Sequence, residues 1–145
     1  MESDNKMKNF LAGLAIVVLL IVFPLQAVLE ISNERRIQRF SDIVYVAAQT
    51  ARLDGYFKQE NIDKLKHDLI KEFPDLSNSD IYINVTQTKK YRTLEFDERE
   101  AIYYDIRIPI RKTAAVPAYW GISDFENQVT VKRAGFVLTG LMQLL

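Results

Sequence analysis

The chain contains no cysteine and only one histidine among its 145 residues. Disulfides, thiolate metal sites and cysteine nucleophiles are therefore excluded, and one histidine leaves few nucleophile–base pairs. The 19 basic and 19 acidic side chains give a net charge of zero, so nothing favours a nucleic-acid partner. No zinc-protease, P-loop, dinucleotide-binding or nucleophile-elbow motif is present. These absences predict a protein that is not an enzyme, holds no cofactor or metal and takes no small-molecule substrate.

A long apolar run stands near the N-terminus. No polar side chain occurs from Phe10 to Leu25; Gln26 then interrupts, and three apolar residues follow before Glu30. About 20 residues rising 1.5 Å each span roughly 30 Å, which is the hydrocarbon thickness of a bilayer. We therefore predict a short tail over residues 1–9 and a transmembrane helix over residues 10–29. The membrane-anchoring side chains include Phe10, Leu11, Val17, Leu20, Phe23, Pro24 and Leu29.

The apolar run allows two other interpretations. A buried helix of a soluble protein is disfavoured, because a domain this small has no interior wide enough to cover such a helix on all sides. A cleaved signal peptide is suggested by Lys6 and Lys8, which resemble a basic leader segment. The run is too long for a leader, however, and no small-residue cleavage pattern follows it. We therefore expect the anchor to be retained.

The residues after the membrane run predict that the same helix continues as an amphipathic stalk over residues 30–55. Apolar residues recur at spacings of three and four. Neither glycine nor proline occurs between Leu25 and Asp54, and Gly55 stands where a C-terminal cap belongs. One continuous helix from about Lys8 to Leu53 is expected. The predicted packing face of the stalk consists of Phe40, Val44, Ala47 and Ala51.

A second, shorter helix is predicted directly after the stalk. Asn61 is its expected N-cap, and Pro74 its expected end. The single histidine, His67, lies off the apolar face, so we expect it to be solvated. The apolar face of this helix contains Ile62, Leu65, Leu69, Ile70 and Phe73.

Further along, the apolar period changes to two, which predicts half-buried antiparallel strands near residues 81–86, 102–110 and 128–138. Pro109 indicates an edge strand or a strand end. The phase of the third strand slips at Ala134-Gly135, which suggests a bulge. The predicted fold class is α+β: a long N-terminal helix, a short second helix and a small antiparallel sheet of about three strands. Residues 56–145 form its small domain, and the stalk face should pack on Ile102, Tyr104, Ile106 and Ile108.

The acidic cluster before the second strand allows two interpretations. Glu95, Asp97, Glu98 and Glu100 offer oxygen ligands of the kind that calcium prefers. Arg99 lies within the cluster, however, and no glycine offers an EF-hand-like turn. We therefore favour a solvated hairpin loop.

A resemblance to a known family covers most of the chain. The anchor contains Val22-Phe23-Pro24-Leu25, and the stalk ends in Ala47-Ala48-Gln49-Thr50-Ala51-Arg52-Leu53-Asp54-Gly55. A strand with Tyr104-Asp105-Ile106-Arg107-Ile108-Pro109-Ile110 follows, and then Ala118-Tyr119-Trp120-Gly121. This order resembles the TadE-like minor pilins (pseudopilins) of tight-adherence pili, or a closely related pilus-linked family.

The resemblance implies a non-enzymatic pilus assembly component, with other pilins or assembly platform proteins as partners. It also implies a single-pass protein of the cell membrane with an extracytoplasmic C-terminal domain. The positive-inside rule does not decide the orientation of the span, because basic residues flank it on both sides. Lys6 and Lys8 precede the span, and Arg35, Arg36 and Arg39 follow it. Pilin precursors usually carry a glycine-type cleavage site before the apolar run and a glutamate at the fifth mature position. Here Lys8-Asn9-Phe10 leads into the run, and no glutamate follows until Glu30. The alternative is a membrane-tethered extracytoplasmic binding or sensor domain unrelated to pili.

Overall fold

The computed structural model of the protein describes residues 2–92 and 98–142. In chain order these contain α1 (Glu2–Asp54), α2 (Gln59–Glu72), β1 (Tyr82–Val85), β2 (Ala101–Arg111) and β3 (Gln128–Leu138). Short 3₁₀ turns occupy Asn78–Asp80, Glu98–Glu100 and Pro117–Trp120. The strands form one antiparallel sheet in the order β1-β2-β3. The predicted α+β fold with a long first helix, a second helix and three strands is confirmed.

The chain packs as two compact units. The first contains the residues up to Arg35 together with Lys112–Gln128, and the second contains Arg36–Arg111 together with the residues from Val129 onward. Helix α1 contributes to both units. This division groups the segment between β2 and β3 with the apolar run, which is distant from it in sequence.

Helix α1 runs through Pro24 and ends at the glycine that the sequence predicts as its cap. Gly55 has φ of +83°, a left-handed conformation that glycine adopts without a Cβ penalty. The Lys90 amide donates to the Gly55 carbonyl at 2.8 Å. A Cβ built on Gly55 would stand only 2.6 Å from the Lys90 carbonyl oxygen. Both the turn and this close approach therefore require glycine.

Helix α2 begins earlier than predicted. Its N-cap is Lys58, so the prediction that Asn61 caps the helix is wrong. Asn61 lies within the first turn, and its side-chain Nδ2 donates to Asp54 Oδ2 at 3.0 Å. Asp54, at the end of α1, therefore binds the Asn61 side chain that the sequence pattern predicted to cap α2. The helix ends at Glu72, with Phe73 as C-cap directly before Pro74.

Strand β2 is the central strand of the sheet, so Pro109 does not mark an edge strand. Pairing of β1 with β2 runs from Tyr82 opposite Arg107 to Val85 opposite Tyr104. Pro109 lies beyond this paired stretch, near the end of β2, where its missing N–H takes no bond away from β1. The alternative prediction, a proline near a strand end, agrees with this position.

The predicted phase slip in β3 is absent. Half-buried positions continue at Val131, Gly135 and Val137, all on one side of the strand. A Cβ on Gly135 would lie 3.0 Å from the Tyr104 hydroxyl oxygen of β2. The glycine therefore keeps its half-buried position and leaves room for the tyrosine, although the apolar pattern is interrupted there and at the exposed Arg133.

The hydrophobic core of the second unit joins both helices to the sheet. Its buried side chains come from α1, the turn between α1 and α2, α2, the segment before β1 and the inward face of β2. Members include Phe40, Val44, Ala48, Ala51, Phe57, Ile62, Leu65, Leu69, Phe73, Leu76, Ile81, Ile102, Ile106 and Ile108.

We expect Gly55→Ala to destabilise the protein by about 2–3 kcal/mol, because it adds left-handed strain to a clash with backbone. Gly121→Ala is the matched control. Gly121 also has positive φ, at +68°, but a Cβ there meets nothing within 4 Å. The control should therefore cost only about 1 kcal/mol. Denaturant unfolding in detergent measures both; equal losses would contradict the close approach at Lys90.

Candidate functional site

The apolar run of α1 is exposed to its surroundings. Its most apolar window has a mean hydropathy of 2.6, and none of that window is buried. Phe10, Leu11, Val17, Leu20 and Phe23 are all exposed. Pro24 is exposed as well, while Leu29 is half-buried. A core helix of a soluble protein would have its apolar side chains covered, so that interpretation is wrong. The helix is long and apolar enough to cross a membrane.

The predicted packing face of the stalk lies in the core of the second unit. Phe40, Val44, Ala47 and Ala51 are buried and belong to the same cluster as the inward side chains of β2. Tyr104 of β2 is half-buried against that cluster. Small alanines on α1 suit close approach of the helix to its neighbours. The spacing of three and four residues was thus sufficient to find this surface.

Ion pairs connect the stalk to the segment after α2. Nη2 of Arg36 donates to both carboxylate oxygens of Asp75, at 2.6 and 2.8 Å. Arg39 pairs with Glu72 at the end of α2. The Arg36 guanidinium also lies over the Phe73 ring, 5.6 Å from its centroid. Burial pushes the pKa of Asp75 upward, but Arg36 outweighs it and leaves the pKa below its ordinary value.

A second polar cluster joins the end of α1 to the start of α2. The Lys58 ammonium donates to Asp54, which also accepts from Asn61. The hydrogen bond from Lys58 lowers the pKa of the Asp54 carboxyl, and the same bond raises the pKa of Lys58. These groups are close to solvent, so we assign them the role of orienting the turn rather than a large stabilisation.

Polar side chains in the first unit hold the segment between β2 and β3, and sequence reasoning missed them. The side-chain amide of Gln26 donates to the Thr113 carbonyl at 3.1 Å and accepts from the Ala115 amide at 3.0 Å. Asn33 donates to the Lys112 carbonyl at 3.2 Å. The signal available in the sequence was Gln26 itself, the single polar residue within the apolar run.

A buried asparagine joins the two ends of the segment between β2 and β3. Asn127 accepts at Oδ1 from the Ala114 amide and the Thr113 hydroxyl, and its Nδ2 donates to the Ala114 carbonyl. The Asn127 carbonyl accepts from the Lys112 amide at 2.8 Å. Backbone groups near the ends of this loop are thereby paired without regular secondary structure.

A groove of about 380 Å³ lies between the stalk and α2 within the second unit. Its floor is apolar and is formed by Ile43, Val46, Ala47 and Leu65. Both acids and bases surround this floor. The charged residues are Asp42, Lys64, Asp68, Lys71 and Glu72. The groove has the size and the mixed lining of a small binding site.

Among the described residues, no group of three or more histidine, cysteine or acidic side chains is placed to hold a metal ion. His67 is exposed on α2, as predicted. Of the acidic cluster, Glu95 and Asp97 lie outside the described residues. Glu100 is fully buried, so the prediction of a solvated loop is wrong for this residue. It is the last residue of the 3₁₀ turn directly before β2, and its carbonyl accepts from the Thr139 amide at 3.0 Å.

No protein-family model, curated protein or solved structure matches the chain.

We expect Val44→Asp to lower the free energy of unfolding by at least about 3 kcal/mol, because it places a carboxylate in the apolar core. Val46→Asp makes the same chemical change two residues away. Val44 is 2% exposed and Val46 is 57% exposed. The control should therefore shift stability by no more than about 0.5 kcal/mol. Denaturant unfolding of the full chain in detergent compares them, and similar losses would refute the packing of this face.

Proposed function

We propose that the protein is a membrane-anchored, non-enzymatic pilus assembly component that resembles the TadE-like minor pilins. The observation that carries the proposal is the change of surroundings along α1. No residue of its most apolar window is buried, whereas Phe40, Val44 and Ala51 further along are buried in the core with the sheet. One helix that serves both as a lipid-facing anchor and as a core element is the arrangement that a pilin-like protein requires.

The anchor explains why so many large apolar side chains are exposed. Exposed apolar surface beyond a few hundred Å² marks a membrane or a partner. A bilayer covers a helix on all sides. No residue of the most apolar window is buried, and the half-buried residues Val18, Val22 and Leu29 lie along one face only, so most of the run is open to that solvent. We therefore place residues 10–29 across the cell membrane, with the domain that follows on the extracytoplasmic side.

The non-enzymatic part of the proposal rests on composition and on His67. With no cysteine in the chain, His67 is the residue best suited to proton transfer near neutral pH. It is exposed on α2, away from the apolar floor of the groove. A general base needs a partner and an enclosed substrate position, and His67 is not placed to supply one.

Protein partners would find exposed apolar surface on the stalk. Tyr45, Val46 and Leu53 are large side chains that α1 leaves exposed in the second unit. They alternate with the buried stripe around the helix. Other pilins or assembly platform proteins are the proposed partners, and burial of these three side chains would contribute to such an interface.

A second candidate is a membrane-tethered binding or sensor domain unrelated to pili. The groove between the stalk and α2 favours it, because an apolar floor with charged residues around it suits a small ligand. Genomic context separates the two candidates, since neighbouring genes for a secretion ATPase and platform proteins would favour the pilus.

The proposed topology predicts that protease added to intact, wall-stripped cells digests the domain after Glu30. A tag at the N-terminus should stay protected until the cells are lysed. Immunoblots against both ends measure the result. Digestion of the domain only after lysis would mean that the orientation is inverted, and the pilus proposal would fail with it.

The proposed partnership predicts cross-linking from the stalk. A photo-reactive residue at Tyr45 should capture other pilins or platform proteins, identified by mass spectrometry, when the chain is expressed in its own cells. The same residue at His67, exposed on the polar face of α2, is the control and should capture far less. Capture of no pilus protein from Tyr45 would contradict an assembly role for this surface.

A further inference from the structure

The loop from Thr113 to Asn127 belongs to the first unit, together with the apolar run of α1. Its attachment point is Gln26, which binds one backbone carbonyl and one backbone amide of the loop, at 3.1 and 3.0 Å. These bonds connect residues 87 and 89 positions apart in sequence. The loop is therefore fixed at a defined height along α1.

That height lies at the boundary between hydrocarbon and headgroups. Gln26 precedes Glu30 by four residues, or about 6 Å along the helix. The headgroup layer on each side of the hydrocarbon is about 5–8 Å thick. If Glu30 is in water or among headgroups, Gln26 lies at the inner side of that layer. Water is scarce there, so pairing of the Gln26 amide with loop backbone avoids leaving polar groups unsatisfied.

The outer part of the loop presents apolar and aromatic side chains. A 3₁₀ turn over Pro117–Trp120 is closed by Gly121, which has positive φ and donates its amide to the Ala118 carbonyl. Trp120 is 59% exposed and Phe125 is 82% exposed. Tryptophan is enriched at the membrane–water boundary because its ring is apolar and its N–H is polar.

We infer that the 113–127 loop is a second membrane contact, with Trp120 and Phe125 seated at the boundary between headgroups and acyl chains. The loop contains two acids, Asp124 and Glu126, and no basic residue. Its occupant is therefore a zwitterionic phospholipid surface, since an anionic one would repel the loop. This inference rests on the membrane anchoring in the proposed function and on no part of its pilus role.

The contact stabilises a fixed position of the loop relative to the bilayer. A single helix through a membrane is free to slide and to rotate about its axis. A loop that binds both the helix and the lipid boundary limits both motions. Gln26 sets the height of the loop, and the two aromatic side chains hold it there.

The test uses intrinsic fluorescence, because Trp120 is the only tryptophan in the chain. The full chain is reconstituted into phosphatidylcholine vesicles with either ordinary or brominated acyl chains, and vesicle flotation shows whether it is anchored. We expect Trp120 emission to be blue-shifted from that of indole in water and to lose intensity in brominated vesicles. Aqueous iodide should quench it little.

Two variants test the same inference from other positions. The double variant Trp120→Phe/Phe125→Trp moves the indole to the second aromatic site and should keep both the blue shift and the quenching by brominated lipid. Gln26→Leu keeps the anchor apolar but removes both bonds to the loop. Its Trp120 emission should shift to the red, with less quenching by brominated lipid; unchanged spectra would overturn the role of Gln26.

The outcomes separate this inference from the anchoring on which it rests. Flotation together with strong iodide quenching and no effect of brominated lipid would overturn the loop contact and leave the anchor intact. Failure to float with the vesicles would overturn the anchor and the loop contact together.

Discussion

Burial of one face of α1 against α2 and β2 is the interaction on which the remaining structure depends. A helix with an exposed apolar run offers nothing that by itself holds a folded domain. Phe40 and Val44 change this, because they bury the continuation of the same helix in the core of the second unit. The sheet in turn needs the helix, since the inward isoleucines of β2 would otherwise remain open to water. The exposed apolar run and the buried stripe are thus parts of one continuous helix.

Polar contacts set the details of this arrangement without supplying most of its stability. Arg36 and Arg39 reach Asp75 and Glu72, which positions the stalk along α2. Such pairs near solvent contribute little free energy, but their geometry is directional. The close approach of Gly55 to Lys90 acts in a similar way at the end of α1. Apolar burial therefore holds the elements together. The ion pairs and the Gly55–Lys90 contact determine which of the relative positions compatible with that burial is adopted.

The proposed pilus function and the groove draw on overlapping parts of the same stalk. Tyr45 and Leu53 are exposed apolar groups suited to another protein, whereas Ile43 and Val46 contribute to the floor of the groove. Val46 belongs to both surfaces. A protein partner on the stalk would accordingly cover part of the groove, so the two candidate functions compete for one region. The inferred loop contact at Trp120 is independent of this choice, because it would involve only the first unit and lipid.

Local periodicity in the sequence determined the helices, the stalk face, the three strands and the cap at Gly55, because each depends on neighbours within a few residues. The apolar run likewise predicted a long exposed stretch in the first half of α1. Tertiary structure alone decided the features that depend on distant residues. Asn61 binds Asp54 instead of capping α2, and Glu100 is buried directly before β2. Gly135 leaves room for Tyr104 on the half-buried side of β3. The contact of Gln26 with Thr113 and Ala115 bridges almost ninety residues. No local pattern encodes such a pairing, since the partners are backbone groups that every residue carries.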